Sequence, residues 1–416
     1  MARSYDVIVV GAGLSGLMAA GAAAQGGARV ALLDKQSLPG RKYLMACMGK
    51  GALSNNDLGL HRFHGRDARF VSDALTALPQ GELRQWFSGQ GVELVDAPHY
   101  GLIAPPQGPD SALAALVAAL GQAEYLPEHR VAAVHHGADF TITLDDGRKF
   151  QAARLILSMG TPNLPQCGGE FTGLEIAQRL GHGIEPVFPA HVPLALDEPW
   201  LADLCGLWLD VDLALHTQRR ELARTTGSLL FTQSGLTGQA VFNVAHEAGP
   251  ALEGAERLTL AINFFPGESP TEVTRWMHEA FGSHTRENAY AVFDRLIPSA
   301  LGDRLLRRQK VKPTLRAEQL EQPQREGLLR DLTDLRLQVR STLGMAASEN
   351  ARGGVSLREI DPRTMHSRKV PGLYVVGSML DITCDWGGFA QHFALASGLL
   401  AGRAAGRALD ASALQG

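Results

Sequence analysis

Tyr5-Asp-Val-Ile-Val-Val10 runs directly into Gly11-Ala-Gly13-Leu-Ser-Gly16, and then into an Ala-rich stretch to about Ala24. The first six residues are mostly apolar and β-branched, the pattern of a buried parallel strand. The glycines form G-x-G-x-x-G where that strand meets a helix. A second strand, Arg29-Val-Ala-Leu-Leu33, ends on the acidic Asp34, 18 residues after Gly16. A strand, turn, helix and strand in this order is the setting in which the motif binds a dinucleotide. Gly11 permits the tight turn, Gly13 lets the backbone approach a pyrophosphate, and Gly16 lets the helix pack closely on the strand. The helix start, with Leu14 and Ser15, offers free N–H groups and the positive end of the helix dipole. Asp34 is placed to accept hydrogen bonds from an adenosine ribose, with Lys35 beside it.

Two further segments favour FAD over NAD. Pro39-Gly40-Arg41-Lys42 follows the acidic strand end after a short loop, near the expected pyrophosphate. Toward the C-terminus, Gly372-Leu-Tyr-Val-Val-Gly377-Ser-Met-Leu-Asp381 reads as a strand ending in glycine with an acid nearby. That pattern suits a second cofactor contact, to the ribityl chain or the pyrophosphate. Gly387-Gly388 and a helical run from Phe389 to Leu400 follow, and the start of that helix would stabilise negative charge at the flavin's pyrimidine end. Val131 and Gly160 complete the candidate cofactor set. No second strand–G-x-G-x-x-G–helix unit occurs downstream, so NAD(P)H is expected only as a transiently docking electron donor.

The chain has 416 residues, which at about 150 per domain predicts two or three domains. With 45% hydrophobic and 20% charged residues it is an ordinary globular composition, neither disordered, collagen-like nor coiled-coil. The net charge of −4 offers no global attraction to nucleic acid or an anionic membrane. Cys47, Cys167, Cys205 and Cys384 form no C-x-x-C pair, which argues against a zinc site, a disulfide scaffold or a dithiol centre and suits a reducing cytoplasm. The apolar run Val7 to Ala24 is broken by glycines and lacks a basic flank, so no membrane span or targeting role is expected. No metal site is expected.

Several strings resemble one family, the BaiN/YhiN-like flavoproteins, which are FAD-dependent oxidoreductases. They are GAGLSG, PGRKYLMA (Pro39 to Ala46), LLFTQSGLTGQAV (Leu229 to Val241), ARGGV (Ala351 to Val355) and RTMHSRKVPGLYVVG (Arg363 to Gly377), with Asp381 and Gly387-Gly388 after them. The resemblance runs nearly end to end. It implies an α/β fold: a Rossmann-type, glutathione-reductase-like FAD domain split in sequence, with an inserted β-barrel-like domain carrying a helical insertion. The residues themselves agree in outline. Composition shifts near Pro186, Leu207 to Leu213 and Leu258 to Phe264 alternate like half-buried strands, and Thr271 to about Arg340 reads as mostly helical. The expected division is 1–185 and 346–416 for the FAD domain, 186–265 with 313–345 for the β-rich insert, and 266–312 for the helical insertion.

The chain departs from the family pattern where substrate would be handled. Family members carry a string like S-G-G-G-R-C-N after G-R-K-x-L; here it is Ala46-Cys-Met-Gly-Lys-Gly-Ala52. Where they read G-G-Y-N-x-Q, this chain has Gly387-Gly-Phe-Ala-Gln-His392. Candidate catalytic side chains are therefore Cys384, His392, Cys47 and Lys50. His392 could act as general acid or base, or be a core histidine; Cys384 could protonate a substrate carbon, or be a small buried thiol. The basic run Arg304, Arg307, Arg308, Lys310, Lys312 reads either as a solvated helix face or as an RNA-phosphate contact, the second because the family includes members linked to uridine reduction in ribosomal RNA. The expected activity is hydride transfer between flavin and a small or base-like substrate, by a NAD(P)H-driven reductase. An amine- or amino-acid-type oxidase using O2, and a reductase of rRNA uridine, are the alternatives.

Overall fold

The computed structural model describes residues 3–283 and 286–407. They fall into two compact units, one running to Ala190 and resuming at Gly344, the other spanning His191–Leu343.

The first unit is built on a sheet whose middle is the opening stretch of sequence. Strand β1 (Arg3–Val10) pairs in parallel with β2 (Val30–Leu33) on one side, and β2 pairs in parallel with β3 (Glu124–Leu126). Two antiparallel strands, β4 (Val131–His136) and β5 (Phe140–Leu144), lead into the long β6 (Lys149–Leu157), which lies parallel to β1 on its other side. The first half of β6 pairs with β5, and its second half pairs in parallel with β7 (Leu373–Val375). Val7 to Val10 are buried on both faces, as a central parallel strand requires.

Helix α1 (Leu14–Gln25) covers β1 and is itself covered by α2 (Phe389–Gly406). Almost nothing projects between these helices. A Cβ at Gly398, Gly402 or Gly406 would stand 2.3, 2.4 or 2.6 Å from the carbonyl oxygen of Ser15, Ala19 or Ala23. The Ala/Gly stripe of each helix thus sets the distance between their backbones.

In the second unit, six strands close a barrel: Leu194–Leu196, Gly235–Thr237, Glu221–Thr232, Trp208–His216, Leu258–Asn263 and Leu335–Thr342 in spatial order. Val211, Leu213 and Leu215 alternate into its core with Leu258, Leu260, Ile262, Leu335, Leu337 and Val339. Between the last two strands in sequence lie helices Pro270–Ser283, Ala289–Phe293, Ser299–Arg308 and Gln322–Thr333.

The expected boundaries need two corrections. Strand Ile184–Ala190 pairs with Asn350–Val355, so the first unit reaches past 185 to Ala190. The helical segment reaches Thr333, beyond 312, because Glu321 and Gln324 form a capping box that starts a further helix. Leu335, Leu337 and Val339 then alternate as a strand, ending the helical segment before Arg340. Among the described residues, no helix is long and apolar enough to cross a membrane.

Replacing Gly402 with Val should force the two helices apart, at about 2–3 kcal/mol of stability. The check is a denaturant midpoint below that of the parent protein; an unchanged midpoint would show that the helix pair tolerates a wider separation.

Candidate functional site

A cleft in the first unit opens where β1 and β2 end. Gly11, at φ +102°, makes the turn that a side chain would block, since its Cβ would lie 2.3 Å from Ser158 O. Gly16 is closed in the same way, 1.8 Å from Gly11 O. Gly13 differs: a Cβ there would meet no protein atom within 4 Å. The bare backbone at the start of α1 therefore faces open space, and the first N–H groups of the helix lie beside it.

The cleft wall contains Gly11, Gly13, Leu14, Ser15, Asp34, Lys35, Gly40, Arg41, Lys42, Val131 and Gly160 of the expected cofactor set. At one end, Asp34 Oδ2 accepts from Ala12 N at 2.5 Å and Oδ1 from Gln36 N at 2.7 Å. Burial pushes this carboxyl up, against those two hydrogen bonds. Lys35 is paired with Glu170 at 2.6 Å, which also holds Arg130 at 2.8 Å. Arg41 donates to Gln36 Oε1 at 2.6 Å and to Gln166 O at 3.1 Å.

Lys42, which feels the charges of Lys35 and Glu170, donates from Nζ to Thr161 O at 2.6 Å and to Asn163 Oδ1 at 2.9 Å. Burial pushes its ammonium down to about 8. Asn163 in turn donates to Glu349 O at 2.9 Å. The Glu349 carboxylate accepts from Cys47 N and from Trp386 Nε1, both at 3.0 Å, and from the Met48 amide. Burial pushes this carboxyl up as well. Cys47 and Met48 are both left-handed, at φ 52° and 56°, which turns two successive N–H groups onto one anion.

Other expected residues lie elsewhere. Asp381 is absent from the cleft wall. Its amide donates to Val355 O, and the charges near its carboxyl are Glu185, Arg66 and Arg352. Ser378, directly after Gly377, takes the place at the cleft. Gly377 braces Ser15, since a Cβ on it would stand 2.7 Å from Ser15 Oγ. Gly387 and Gly388 aim their N–H groups at the Cys47 thiol. Phe389 is buried against Phe63, with Arg62 over its ring.

The catalytic candidates stand in surroundings of their own. His392 is fully buried; its Nε2–H donates to Leu78 O at 2.8 Å, so Nδ1 accepts from the Ser54 hydroxyl at 2.9 Å. Burial pushes it down to about 4, leaving a neutral structural imidazole. Burial also drives the Cys47 and Cys384 thiols up, the reverse of a reactive thiolate. Lys50 lies outside the cleft with its ammonium 5.5 Å from the Tyr100 ring centroid. Glu349, Asn163, Ser378 and Gln391 line the cleft unforeseen. Two of these had a signal, for Ser378 follows the strand-end glycine and Glu349 stands two residues before ARGGV.

The three arginines of the positive run are answered by acids: Arg304 by Asp203 at 3.1 Å, Arg307 by Asp303 at 2.8 Å and Arg308 by Asp331 at 3.5 Å. Among the described residues, no group of three or more His, Cys, Asp or Glu side chains is placed to hold a metal ion.

The HI0933-like protein Rossmann domain family matches residues 5–404. This chain belongs to that family, a family of flavoprotein oxidoreductases. It is 29% identical over 406 residues to the 3-dehydro-bile acid delta(4,6)-reductase of Clostridium scindens, covering 95% of this chain and 98% of that protein. It is 27% identical to the ribosomal RNA dihydrouridine synthase of Escherichia coli, over 94% of this chain and 96% of the relative. Among solved structures, the 3-ketosteroid delta1-dehydrogenase of Sterolibacterium denitrificans superposes with a TM-score of 0.50 at 11% identity, covering 97% and 99% of the two chains. At that identity the likeness is one of fold.

Two outcomes test this site. Gly13→Val should leave the protein folded, because its side chain meets no protein atom, yet abolish retention of the dinucleotide; full cofactor content in the purified variant would misplace the site. The buried His392 is neutral in the fold down to about pH 4, whereas the unfolded chain takes up its proton near 6.5. Stability should thus be intact above about pH 6.5 and fall toward pH 4, by roughly 3 kcal/mol from this group. His392→Gln should flatten that part of the stability–pH curve, and an unaltered slope would refute it.

Proposed function

We propose that this protein is a FAD-dependent reductase, recharged by NAD(P)H, that saturates a carbon–carbon double bond conjugated to a carbonyl in a small or base-like ring. The observation that carries the reading is the open backbone at Gly13, set at a helix start within a cleft that also holds a buried cation and a buried carboxyl. Pyrophosphate would rest on the amides of Gly13 to Ser15, the adenosine ribose near Asp34 and Val131, and the ring end of the cofactor toward Glu349, Asn350 and Gln391. Bound FAD supplies a hydride carrier there.

The two named relatives support the direction. One is named a 3-dehydro-bile acid delta(4,6)-reductase and the other a ribosomal RNA dihydrouridine synthase, and both names describe reduction of a ring double bond. Between these substrates, the small molecule is favoured, because the arginines of the one dense basic run are already matched by carboxylates. With no buried thiolate and a neutral, fully engaged His392, the protein's part is to bind, orient and exclude water; the proton would come from a group other than those.

The test is the visible absorbance of the purified protein, followed without oxygen. Addition of NADPH or NADH should bleach the oxidised flavin band, and a ring enone should restore it. An oxidised band that persists with both nucleotides but bleaches with amines, releasing hydrogen peroxide in air, would replace this reading with an oxidase.

A further inference from the structure

Asp385 is a buried carboxylate held between two basic side chains. Its Oδ2 accepts from Arg62 Nη1 at 2.8 Å, and its Oδ1 lies 2.7 Å from His64 Nε2. Burial pushes the carboxyl up, but the hydrogen bonds from His64 and Arg62 outweigh it and hold the group below the usual carboxylate range. An ionised carboxylate only accepts, so Nε2 carries the hydrogen and Nδ1 is the nitrogen that exchanges a proton. Arg62 is fixed in turn: its Nε donates to Asp57 at 3.0 Å, and its carbonyl accepts from the Asp385 amide at 2.8 Å.

The pair lies beside the part of the cleft wall made by Glu349 and Asn350. Both chain neighbours of Asp385 reach those residues: Trp386 Nε1 donates to Glu349 at 3.0 Å, and Cys384 Sγ lies 3.9 Å from Asn350 Nδ2. The short strand Phe63–His64 pairs antiparallel with Thr383–Cys384, which puts His64 opposite Thr383. Cross-strand partners share a face at about 5 Å, and Thr383 Oγ1 lies 3.5 Å from the same Asn350 amide. Thr383 thus links His64 to the cleft wall. Two other histidine–carboxylate contacts of this unit differ. His182, against Glu359 at 2.9 Å, is sealed from solvent, and His61, against Asp57 at 3.2 Å, stands on the surface. The His64 side chain is 31% exposed above a carboxylate that is 11% exposed, so the imidazole can meet a ligand while Asp385 stays shielded. A half-open imidazole oriented by a buried carboxylate is the arrangement of a general acid or base.

We propose that His64 is the proton donor of the reduction and that Asp385 is the positioning residue that orients it. This rests on the reading of the cleft as the FAD site of an enone reductase. As hydride reaches the carbon β to the carbonyl, the electron pair of the double bond moves onto the carbonyl oxygen. As the carbonyl re-forms, the α-carbon takes the proton from His64 Nδ1. Solvent then returns a proton to Nδ1, and NAD(P)H restores the hydride. Asp385 holds Nε2–H in place throughout and stabilises the imidazolium that gives the proton up. Arg62 keeps the other carboxylate oxygen occupied, so Asp385 takes no proton itself.

The experiment follows reoxidation of the reduced full-length protein without oxygen, using cyclohexenone or androstenedione as the ring enone. A parent that holds no FAD, or whose reduced flavin neither enone reoxidises, overturns the functional reading and this proposal with it. In a loaded parent, His64→Gln should slow the enone about a hundredfold, while ferricyanide, which needs no proton on carbon, reoxidises variant and parent within about twofold. His64→Asn takes its place where Gln lowers FAD content. Asp385→Asn should lose about tenfold with the enone alone, Asp385→Glu should recover part of it, and His61→Gln should change neither rate. A second readout needs no turnover. With the histidine nitrogens isotopically labelled, the resonances missing from the His64 variant should report Nε2–H in the parent, and Asp385→Asn should lose that preference. Full enone rate in the His64 variant would overturn the proposal and leave the FAD reading standing. So would a parent His64 with its hydrogen on Nδ1, or equal slowing of enone and ferricyanide, which would make the pair a structural support.

Discussion

The structure hangs on how closely three backbones can approach at Ser15. Its hydroxyl lies 2.7 Å from that of Ser158 on the turn after β6, Gly377 leaves room for it after β7, and Gly398 of α2 presses on its carbonyl. The last two contacts exist because a side chain is missing. Widening any of them would tilt α1, and the direction of α1 decides where its free amides point. A cofactor site made of amides cannot be tuned by changing a side chain at the contact, so its geometry is stored in the packing behind it. This explains why glycine is conspicuous in α2, far along the chain from the G-x-G-x-x-G turn.

That dependence also explains what could be read before the fold was seen. The β1–turn–α1–β2 frame was legible because every part of it is local: a buried strand, a required glycine turn and an acid at a strand end. The barrel was legible in kind, because Val211, Leu213 and Leu215 alternate, and the same holds for Leu258 to Ile262. The domain edges were harder. Ile184–Ala190 contains two prolines and reads as a break, yet it pairs with Asn350–Val355 far away in sequence, and no local signal reports a pairing of that kind.

Side-chain chemistry was the least legible. His392, Cys47 and Cys384 were singled out because their residue types can transfer protons or attack carbon. The fold gives each a partner instead: Leu78 O and Ser54 for His392, the Gly387 and Gly388 amides for Cys47, and the Ala390 amide for Cys384. Reactive residue types near glycine-rich turns are also the residues small or compact enough to fill the space such turns leave. Asp381 stands apart from the cleft wall for a related reason. The short helical turn Gly377–Met379 carries the chain past the cleft, so the residue directly after the glycine, Ser378, reaches it, and the acid three places on does not.

The two buried charges of the cleft, Lys42 and Glu349, are held by opposite means, and the contrast bears on what the cleft can do. Glu349 is satisfied from within the protein: two amides of a left-handed turn and one indole N–H supply three charge-assisted hydrogen bonds. The turn at Cys47 and Met48 is costly in itself, and the Glu349 carboxylate offsets that cost by using both N–H groups at once. Glu349 is therefore an anchor for the loop following Lys42, and its acceptor sites are mostly spent. Lys42 has no such enclosure. Its ligands are two carbonyls and its remaining donor faces the open side. The anion is thus anchored by donors of its own while the cation keeps one donor to spare, and the strength of either charge depends on the low dielectric that a bound cofactor would create by displacing water.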